Sequence, residues 1–186
     1  VMATLTASSR AIRSARVVLP RPGGPKNRMW SSGSRRALAA AMAYVDLNPI
    51  RAGIADTLEE SEHTSVALRL DALRKHPEQA EKPLQPIAGI GVFQRLSMSN
   101  RQYIDLIDFT GRQVRRGKGG SISESEPSAL RRLGLDARHW TGQVQGIGSG
   151  YWRIVGSVET LIERAEAARQ SWMKGVGFAR RLASGR

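Results

Sequence analysis

Cysteine is absent from all 186 residues, and this absence narrows the chemistry open to the chain. Without thiols the protein has no disulfide framework, no cysteine-based zinc site and no thiol nucleophile. Aromatic residues make up only 5% of the sequence, so the core must be built mainly from Leu, Ile, Val and Ala. No apolar run near the start is long enough for a signal-peptide core or a membrane span.

Acidic residues are missing from the first 40 positions, which hold eight cations. The net charge of the whole chain is +13, so this segment supplies +8 and the remaining 146 residues supply +5. Such a balance favours a polyanionic partner, most simply nucleic acid. Residues 1–36 show no helix or strand periodicity and are rich in Arg, Ser, Pro and Gly. They are interpreted as a disordered basic arm or as sequence read out of frame, and we favour the second interpretation.

The most informative stretch runs from Tyr44 to Gly53 and reads Tyr-Val-Asp-Leu-Asn-Pro-Ile-Arg-Ala-Gly. The Ala-rich run before it favours a helix, and Pro49 cannot continue one, so a helix is predicted over 37–48 that frays at Asn48. Tyr44 and Asn48 then share one helix face. A phenol beside a carboxamide at a helix end suits one half of a phosphoryl-transfer site. The alternative is a core tyrosine beside an asparagine that caps the helix.

This stretch resembles the signature of the REP-associated tyrosine transposases, which belong to the single-tyrosine transposases. The resemblance covers roughly residues 37–180, and its first stretch is the most specific. It continues through Ile54-Ala55-Asp56-Thr57, Glu62-His63-Thr64-Ser65, Tyr103-Ile104-Asp105-Leu106-Ile107-Asp108-Phe109-Thr110-Gly111-Arg112, Leu133-Gly134-Leu135, Trp140 and Trp172-Met173-Lys174-Gly175-Val176-Gly177.

The resemblance implies that Tyr44 attacks a DNA phosphodiester, forms a 5′-phosphotyrosine link and releases a 3′-hydroxyl. It implies that Asn48 is the third ligand of a divalent metal, Mg²⁺ or Mn²⁺, whose other ligands come from a His-x-His motif on a strand. Arg51 would face DNA or the protein's own acids. The only histidines are His63, His76 and His139, and they do not form that motif. Because a lone asparagine is a poor divalent site, the chain is predicted to bind no metal and to cleave no DNA by itself.

A basic loop is predicted where Arg112-Gln113-Val114-Arg115-Arg116-Gly117-Lys118-Gly119-Gly120 follows a helix. Its cations are candidate contacts to DNA phosphates: Arg112, Arg115, Arg116 and Lys118. The alternative is an ordinary solvated loop. A basic tail at 180–186 adds to them. The second function hypothesis is therefore a non-catalytic helical module that binds nucleic acid. A third is a decayed transposase fragment without function.

The helical patterns predict a mainly α fold. The resemblance implies that this fold is the helical C-terminal remainder of an α+β transposase. Four segments are predicted: the basic segment 1–36, a tyrosine-helix remnant 37–76, a linker 77–98 and a helical C-terminal domain 99–186. The helix predicted over 37–48, which carries Tyr44, is called the tyrosine helix. Its apolar side is predicted to be exposed, because no strand is evident that could cover it. The resemblance implies single-stranded or hairpin DNA as the partner, a homodimer, and a cytoplasmic, nucleoid-associated location in a bacterium, with no membrane.

Local signals place several helix ends. Thr57 or Ser61 is predicted to cap the helix that runs from Ser65 to His76, and Ser99 the helix that carries Tyr103 inward. A short helix is predicted between Pro127 and Gly134, and Asp136 is predicted to cap the next. Ser157 opens the last predicted helix, whose apolar stripe consists of Val158, Leu161, Ile162, Ala165, Ala168 and Trp172.

Overall fold

The computed structural model describes residues 16–17, 32–85, 96–114, 127–147, 149 and 154–184. Helices dominate this part of the chain, which confirms the predicted mainly α fold. The helices are α1 (Ser32–Asp46), α2 (Asn48–Arg51), α3 (Ser65–Lys75), a 3₁₀ turn (Pro77–Gln79), α4 (Asn100–Val114), α5 (Ser128–Leu133), α6 (Ala137–Gln145), α7 (Val158–Ala167) and α8 (Val176–Ser184).

Strand pairing within the described residues is short. Strand β1 (Arg16–Val17) lies parallel to β2 (Ile154–Val155), and an isolated antiparallel bridge joins Pro83 to Ser99. The rest of the predicted basic segment 1–36 up to position 31 lies outside the described residues. None of the described helices combines the length and the apolar character needed to cross a bilayer.

Helix α1 lies at the centre of the core. Its alanines at 37, 39, 40, 41 and 43 are buried together with Leu38, and α4, α5 and α6 pack around it. Small side chains on α1 allow its neighbours to approach closely, so that large side chains from α4 and α6 fill the space between them. Tyr103, Leu106, Ile107 and Trp140 are all fully buried there. The prediction that the apolar side of this helix is exposed is therefore wrong, because α4, α5 and α6 cover it.

The predicted linker 77–98 is held at both of its described ends. Backbone hydrogen bonds join Leu84 N–H to the Met98 carbonyl and Asn100 N–H to the Lys82 carbonyl, each at 3.0 Å. Leu84 and Met98 are also buried in the core that contains α1 and α4. Residues 86–95 lie outside the described part of the chain. The division into four segments stays a prediction.

Helix ends follow side-chain chemistry. Asp136 caps α6 and Ser157 caps α7, as predicted, through oxygens that accept hydrogen bonds from the N–H groups of His139 and Thr160. Gly134 ends α5, also as predicted, and its backbone is left-handed at φ 63°. The cap of α3 is Thr64, whose hydroxyl accepts from Ala67 N–H at 3.2 Å, so the prediction of Thr57 or Ser61 is wrong. A series of turns before Thr64 delays the start of α3 beyond both predicted caps.

Two features of the C-terminal part differ from the predicted stripe. Helix α7 ends at Ala167, and Trp172 lies beyond it with 69% of its surface exposed. The chain leaves α7 through Arg169, which adopts a left-handed φ of 54°, a conformation that a continuing helix cannot contain. A further helix, α8, then begins at Val176. Its residue Phe178 packs on Gly146, where a Cβ would lie 2.3 Å from a ring carbon.

Candidate functional site at the end of the tyrosine helix

The chain remains helical beyond the point where Pro49 was predicted to stop it. Helix α1 ends at Asp46, but Leu47 N–H still donates to the Ala43 carbonyl at 3.0 Å, and α2 follows at once. Pro49 stands in the first turn of α2, where its missing N–H would have no intrahelical acceptor. The prediction that the helical structure frays at Asn48 is therefore wrong. One more helical turn, α2, carries the chain back toward Tyr44.

This extra turn brings Arg51 onto Tyr44. The guanidinium carbon of Arg51 lies 4.3 Å from the centroid of the Tyr44 ring, a cation–π contact. Tyr44 is half-buried and Arg51 is exposed, so the pair lies at the surface. Asn48 lies between these two residues in the sequence and is half-buried. Its backbone carbonyl accepts a hydrogen bond from Ala52 N–H at 2.9 Å. A phenol and a cation that share one surface site can receive a phosphate, with the cation offsetting its charge.

Asp46, two residues after Tyr44, has a different role. Its carboxylate is only 3% exposed and accepts three hydrogen bonds. Ser65 donates two of them, from its N–H at 2.9 Å and its hydroxyl at 2.7 Å, and the Tyr103 hydroxyl donates the third at 2.7 Å. The acid therefore ties the end of α1 to the start of α3 and to the first turn of α4. A buried carboxylate is stable in a core when its lone pairs are satisfied in this way.

Tyr103 is fully buried, and its environment favours the protonated phenol. Burial raises the pKa of Tyr103 well above its ordinary value of 10.0, and the charge and hydrogen bond of Asp46 raise it further. The nearby Arg69 acts in the opposite direction. Because the phenol keeps its proton and donates it in a hydrogen bond to Asp46, Tyr103 has a structural role, in contrast with the surface phenol of Tyr44.

Arg69, which is partly buried, completes this polar cluster. Its guanidinium carbon lies 5.5 Å from the Tyr103 ring centroid, and its Nη1 donates to Asn100 Oδ1 at 2.6 Å. Its Nε is buried and finds no hydrogen-bond partner among the described residues. Asp46 therefore links this cluster to the end of α1, two residues beyond Tyr44.

Sequence reasoning missed this cluster. Asp46, Ser65 and Tyr103 lie in three of the stretches that carry the resemblance, but none of them was predicted to bind another. The available signal was an acidic residue at the end of an otherwise apolar, Ala-rich helix. Such a residue is buried only with partners, and those partners lie 19 and 57 positions away.

The described residues do not fit the divalent metal that the resemblance implies. No group of three or more His, Cys, Asp or Glu side chains that could hold an ion occurs among them. Asn48 offers one amide oxygen, and Asp46, its closest acid in sequence, already has its oxygens engaged by Ser65 and Tyr103. His63, His76 and His139 lie respectively before α3, at its C-terminal end and in α6. Asn48 as a metal ligand stays a prediction.

One cation of the predicted DNA-binding loop can be described. Arg112 lies in the last turn of α4 and forms an ion pair with Asp108 one turn earlier, at 2.8 Å. About half of each side chain is exposed, at 51% and 48%. Arg115, Arg116 and Lys118 lie outside the described residues. The structure therefore leaves the loop as a DNA contact untested.

Comparisons with protein-family models, with curated proteins and with solved structures find no match to this chain.

Proposed function

We propose that this chain is the nucleophile-bearing C-terminal portion of a REP-associated tyrosine transposase. In the proposed reaction the Tyr44 oxygen attacks a phosphorus atom of single-stranded DNA. The bond from phosphorus to the 3′ oxygen breaks, the phenol proton ends on that oxygen, and the 5′ side stays linked to Tyr44. A reverse transesterification by another 3′-hydroxyl rejoins the strand and frees the tyrosine.

The observation that carries the proposal is the contact between Tyr44 and Arg51. Both residues belong to the most specific stretch of the resemblance, and the guanidinium lies 4.3 Å from the ring centroid. Arginine is the side chain best suited to bind a phosphate through paired N–H groups. A phosphate held by Arg51 would lie beside the one described tyrosine that has surface exposure; the other described tyrosine, Tyr103, donates its hydroxyl to Asp46.

A second observation supports the proposal from the fold. Three of the stretches that carry the resemblance meet in one hydrogen-bonded cluster through Asp46, Ser65 and Tyr103. A shared hydrogen-bonded cluster gives a physical reason for these residue types to occur together. The mainly α fold and the cluster are also compatible with a helical remainder of an α+β protein.

The proposed chemistry needs a second half-site that these 186 residues do not supply, because the sequence contains no His-x-His. Two histidines of a partner protein of the same family would have to provide it. The chain by itself is therefore expected to bind DNA and to form no covalent product.

A covalent-trapping experiment tests this proposal. Labelled single-stranded hairpin DNA is incubated with Mg²⁺ or Mn²⁺ and with a family transposase whose own nucleophile is changed to Phe, and the products are separated on a denaturing gel. A protein–DNA band at the mass of this chain is expected only when the chain is added. The band should disappear in Tyr44→Phe and remain in Tyr103→Phe, the matched control.

The same gel can also contradict the proposal. A band that persists in Tyr44→Phe would exclude Tyr44 as the nucleophile. A Tyr44-dependent band from the chain alone would overturn its expected inactivity and require metal ligands of its own. DNA binding without any band would favour the alternative, a non-catalytic helical DNA-binding module.

That alternative has an observation of its own. The described residues 167–184 contain four cations and no acid, which are Arg169, Lys174, Arg180 and Arg181. A segment of this kind is attracted to phosphates whether or not a nucleophile is present. It predicts that the affinity for DNA falls steeply with salt and is unchanged in Tyr44→Phe.

A further inference from the structure

The connection between α7 and α8 displays a large aromatic side chain. Trp172 is 69% exposed, although the other described tryptophan, Trp140, is fully buried and donates its ring N–H to the Thr110 hydroxyl at 2.8 Å. An indole costs more than most side chains to leave in water, because a large apolar area stays unburied. The position of Trp172 therefore calls for a partner that covers the ring.

The backbone around Trp172 is ordered by its own contacts. Residue 169 at φ 54° and Gly175 at φ 108° turn the chain on either side of it. Gln170 N–H donates to the Ala165 carbonyl at 2.9 Å, and Val176 N–H donates to the Met173 carbonyl at 3.2 Å. Met173 packs against the core. Met173 therefore faces the core, and hydrogen bonds at Gln170 and Val176 fix the backbone on both sides of Trp172. This arrangement keeps the Trp172 side chain exposed.

Cations surround this aromatic residue in the chain. No acid occurs between positions 167 and 184, whereas Arg169 and Lys174 lie within three residues of Trp172. Arg181 reaches back along α8 toward the same connection. Its guanidinium carbon lies 5.9 Å from the Phe178 ring centroid, and its Nη1 lies 3.9 Å from the position that a Cβ on Gly177 would occupy. Gly177 is in the first turn of α8, next to the connection that carries Trp172.

An exposed aromatic ring in a stretch of chain that carries cations and no acids has the chemistry of a platform for single-stranded nucleic acid. The ring stacks on a base through its face, and the cations hold the phosphates on either side. A duplex cannot use the ring, because its bases are already stacked and paired. A protein partner would be expected to present acids to Arg169 and Arg181, and an apolar one would leave them desolvated.

We propose that Trp172 is a base-stacking residue of a single-stranded DNA-binding surface that also includes Arg169, Lys174 and Arg181. The inference rests on the DNA partner of the proposed function, and it adds a contact surface remote in sequence from Tyr44. This surface would hold the strand without taking part in the chemistry.

Fluorescence anisotropy with short labelled oligo(dT) tests this inference on the full chain. Trp172→Ala is expected to weaken binding by about 5- to 100-fold, the range seen when one stacking aromatic is removed. Trp172→Phe should retain most of the affinity, since it keeps a ring. Leu68→Ala is the matched control, because Leu68 is also 69% exposed but lies on α3, and it should bind as the unchanged protein does.

Each remaining outcome decides against the inference in a distinct way. If the unchanged protein binds oligo(dT) and Trp172→Ala binds equally well, the inference fails while the proposed function stands. If the unchanged protein binds no oligo(dT), both fail. If Trp172→Ala weakens duplex binding by the same factor, stacking on single strands is excluded. If sedimentation shows that Trp172→Ala dissociates an oligomer, the ring is an interface between copies instead.

Discussion

The Tyr103 hydroxyl donates a 2.7 Å hydrogen bond to the Asp46 carboxylate across 57 positions of sequence. This bond joins α1, the helix that carries Tyr44, to α4, and both of the residues that form it are buried. Two hydrogen bonds that Ser65 donates to the same carboxylate also hold the end of α1, so its position does not depend on Tyr103 alone. Asp46 is thus a positioning residue for Tyr44, and several expected outcomes follow from its surroundings.

Asp46→Ala should lower the free energy of unfolding by about 3 kcal/mol, because the buried hydroxyl of Tyr103 and both donors of Ser65 lose their acceptor. The matched control is Asp71→Ala, which removes an exposed carboxylate 2.7 Å from Lys75 and should cost at most about 0.5 kcal/mol. Urea unfolding followed by circular dichroism measures both. Equal losses in the two variants would show that the buried cluster contributes nothing beyond a surface pair.

Tyr103→Phe should change how stability depends on alkaline pH. Because burial and Asp46 raise the pKa of Tyr103 in the folded state, the folded protein holds this proton more tightly than the unfolded chain does. The resulting stability is fully present below the unfolded pKa of about 10 and is lost as the pH rises toward the folded pKa. Denaturant unfolding at a series of alkaline pH values should therefore show a steeper decline in the unchanged protein than in Tyr103→Phe. Parallel declines would contradict the raised pKa.

Asp136→Ala should destabilise the protein by about 1 kcal/mol at neutral pH through loss of the α6 cap. The pKa of Asp136 is lowered by the hydrogen bond from the His139 N–H and then by the His139 side chain. A lowered folded pKa means that the stabilisation exists above the unfolded pKa of about 4 and is lost as the pH falls through the folded value. The difference between the two proteins should therefore shrink in strong acid. Asp136→Asn keeps a capping oxygen and should retain most of the neutral-pH stability.

Two glycine substitutions should act in opposite directions. A Cβ on Gly146 would lie 2.3 Å from a Phe178 ring carbon and 3.0 Å from the Gly142 carbonyl oxygen, so Gly146→Ala should cost about 1–3 kcal/mol by overpacking. A Cβ on Gly177 meets only an Arg181 nitrogen at 3.9 Å, so Gly177→Ala should stabilise α8 by up to about 1 kcal/mol. Thermal unfolding of the two variants compares them directly. A stable Gly146→Ala protein would mean that Phe178 moves aside without cost.

Arg51→Ala should separate binding from stability. Its contact with Tyr44 is exposed, so its loss should cost at most about 1 kcal/mol of folding free energy. If Arg51 holds a phosphate, the variant should bind single-stranded DNA more weakly, with a salt dependence reduced by about one released counterion. Arg74→Ala removes an arginine that pairs with Glu59 on another surface, and it serves as the control. Identical salt slopes for Arg51→Ala and the unchanged protein would remove Arg51 from the DNA site.

Much of the helical layout could be predicted because its signals are local. The cap at Asp136, the cap at Ser157 and the left-handed glycine at 134 depend on a few neighbouring residues, and all three are found where they were predicted. The inward face of α4, with Tyr103, Leu106 and Ile107, follows from helical periodicity alone. The helical turn that contains Pro49 was missed. Proline is tolerated in the first turn of a helix, and Pro49 is in a first turn only because a new helix, α2, begins at Asn48.

The sequence by itself determined the helical class, most helix ends, the surplus of positive charge and the absence of thiol chemistry. The tertiary structure alone decided which polar groups meet. Asp46 and Tyr103 come together because α1 and α4 cross in the core, and Arg51 returns to Tyr44 because α2 adds a turn. It also decided that Trp172 is exposed, since the left-handed residue 169 ends α7 before the apolar stripe reaches it. Periodicity reports which face of one helix is apolar, whereas the partner of that face depends on contacts between residues that are distant in the chain.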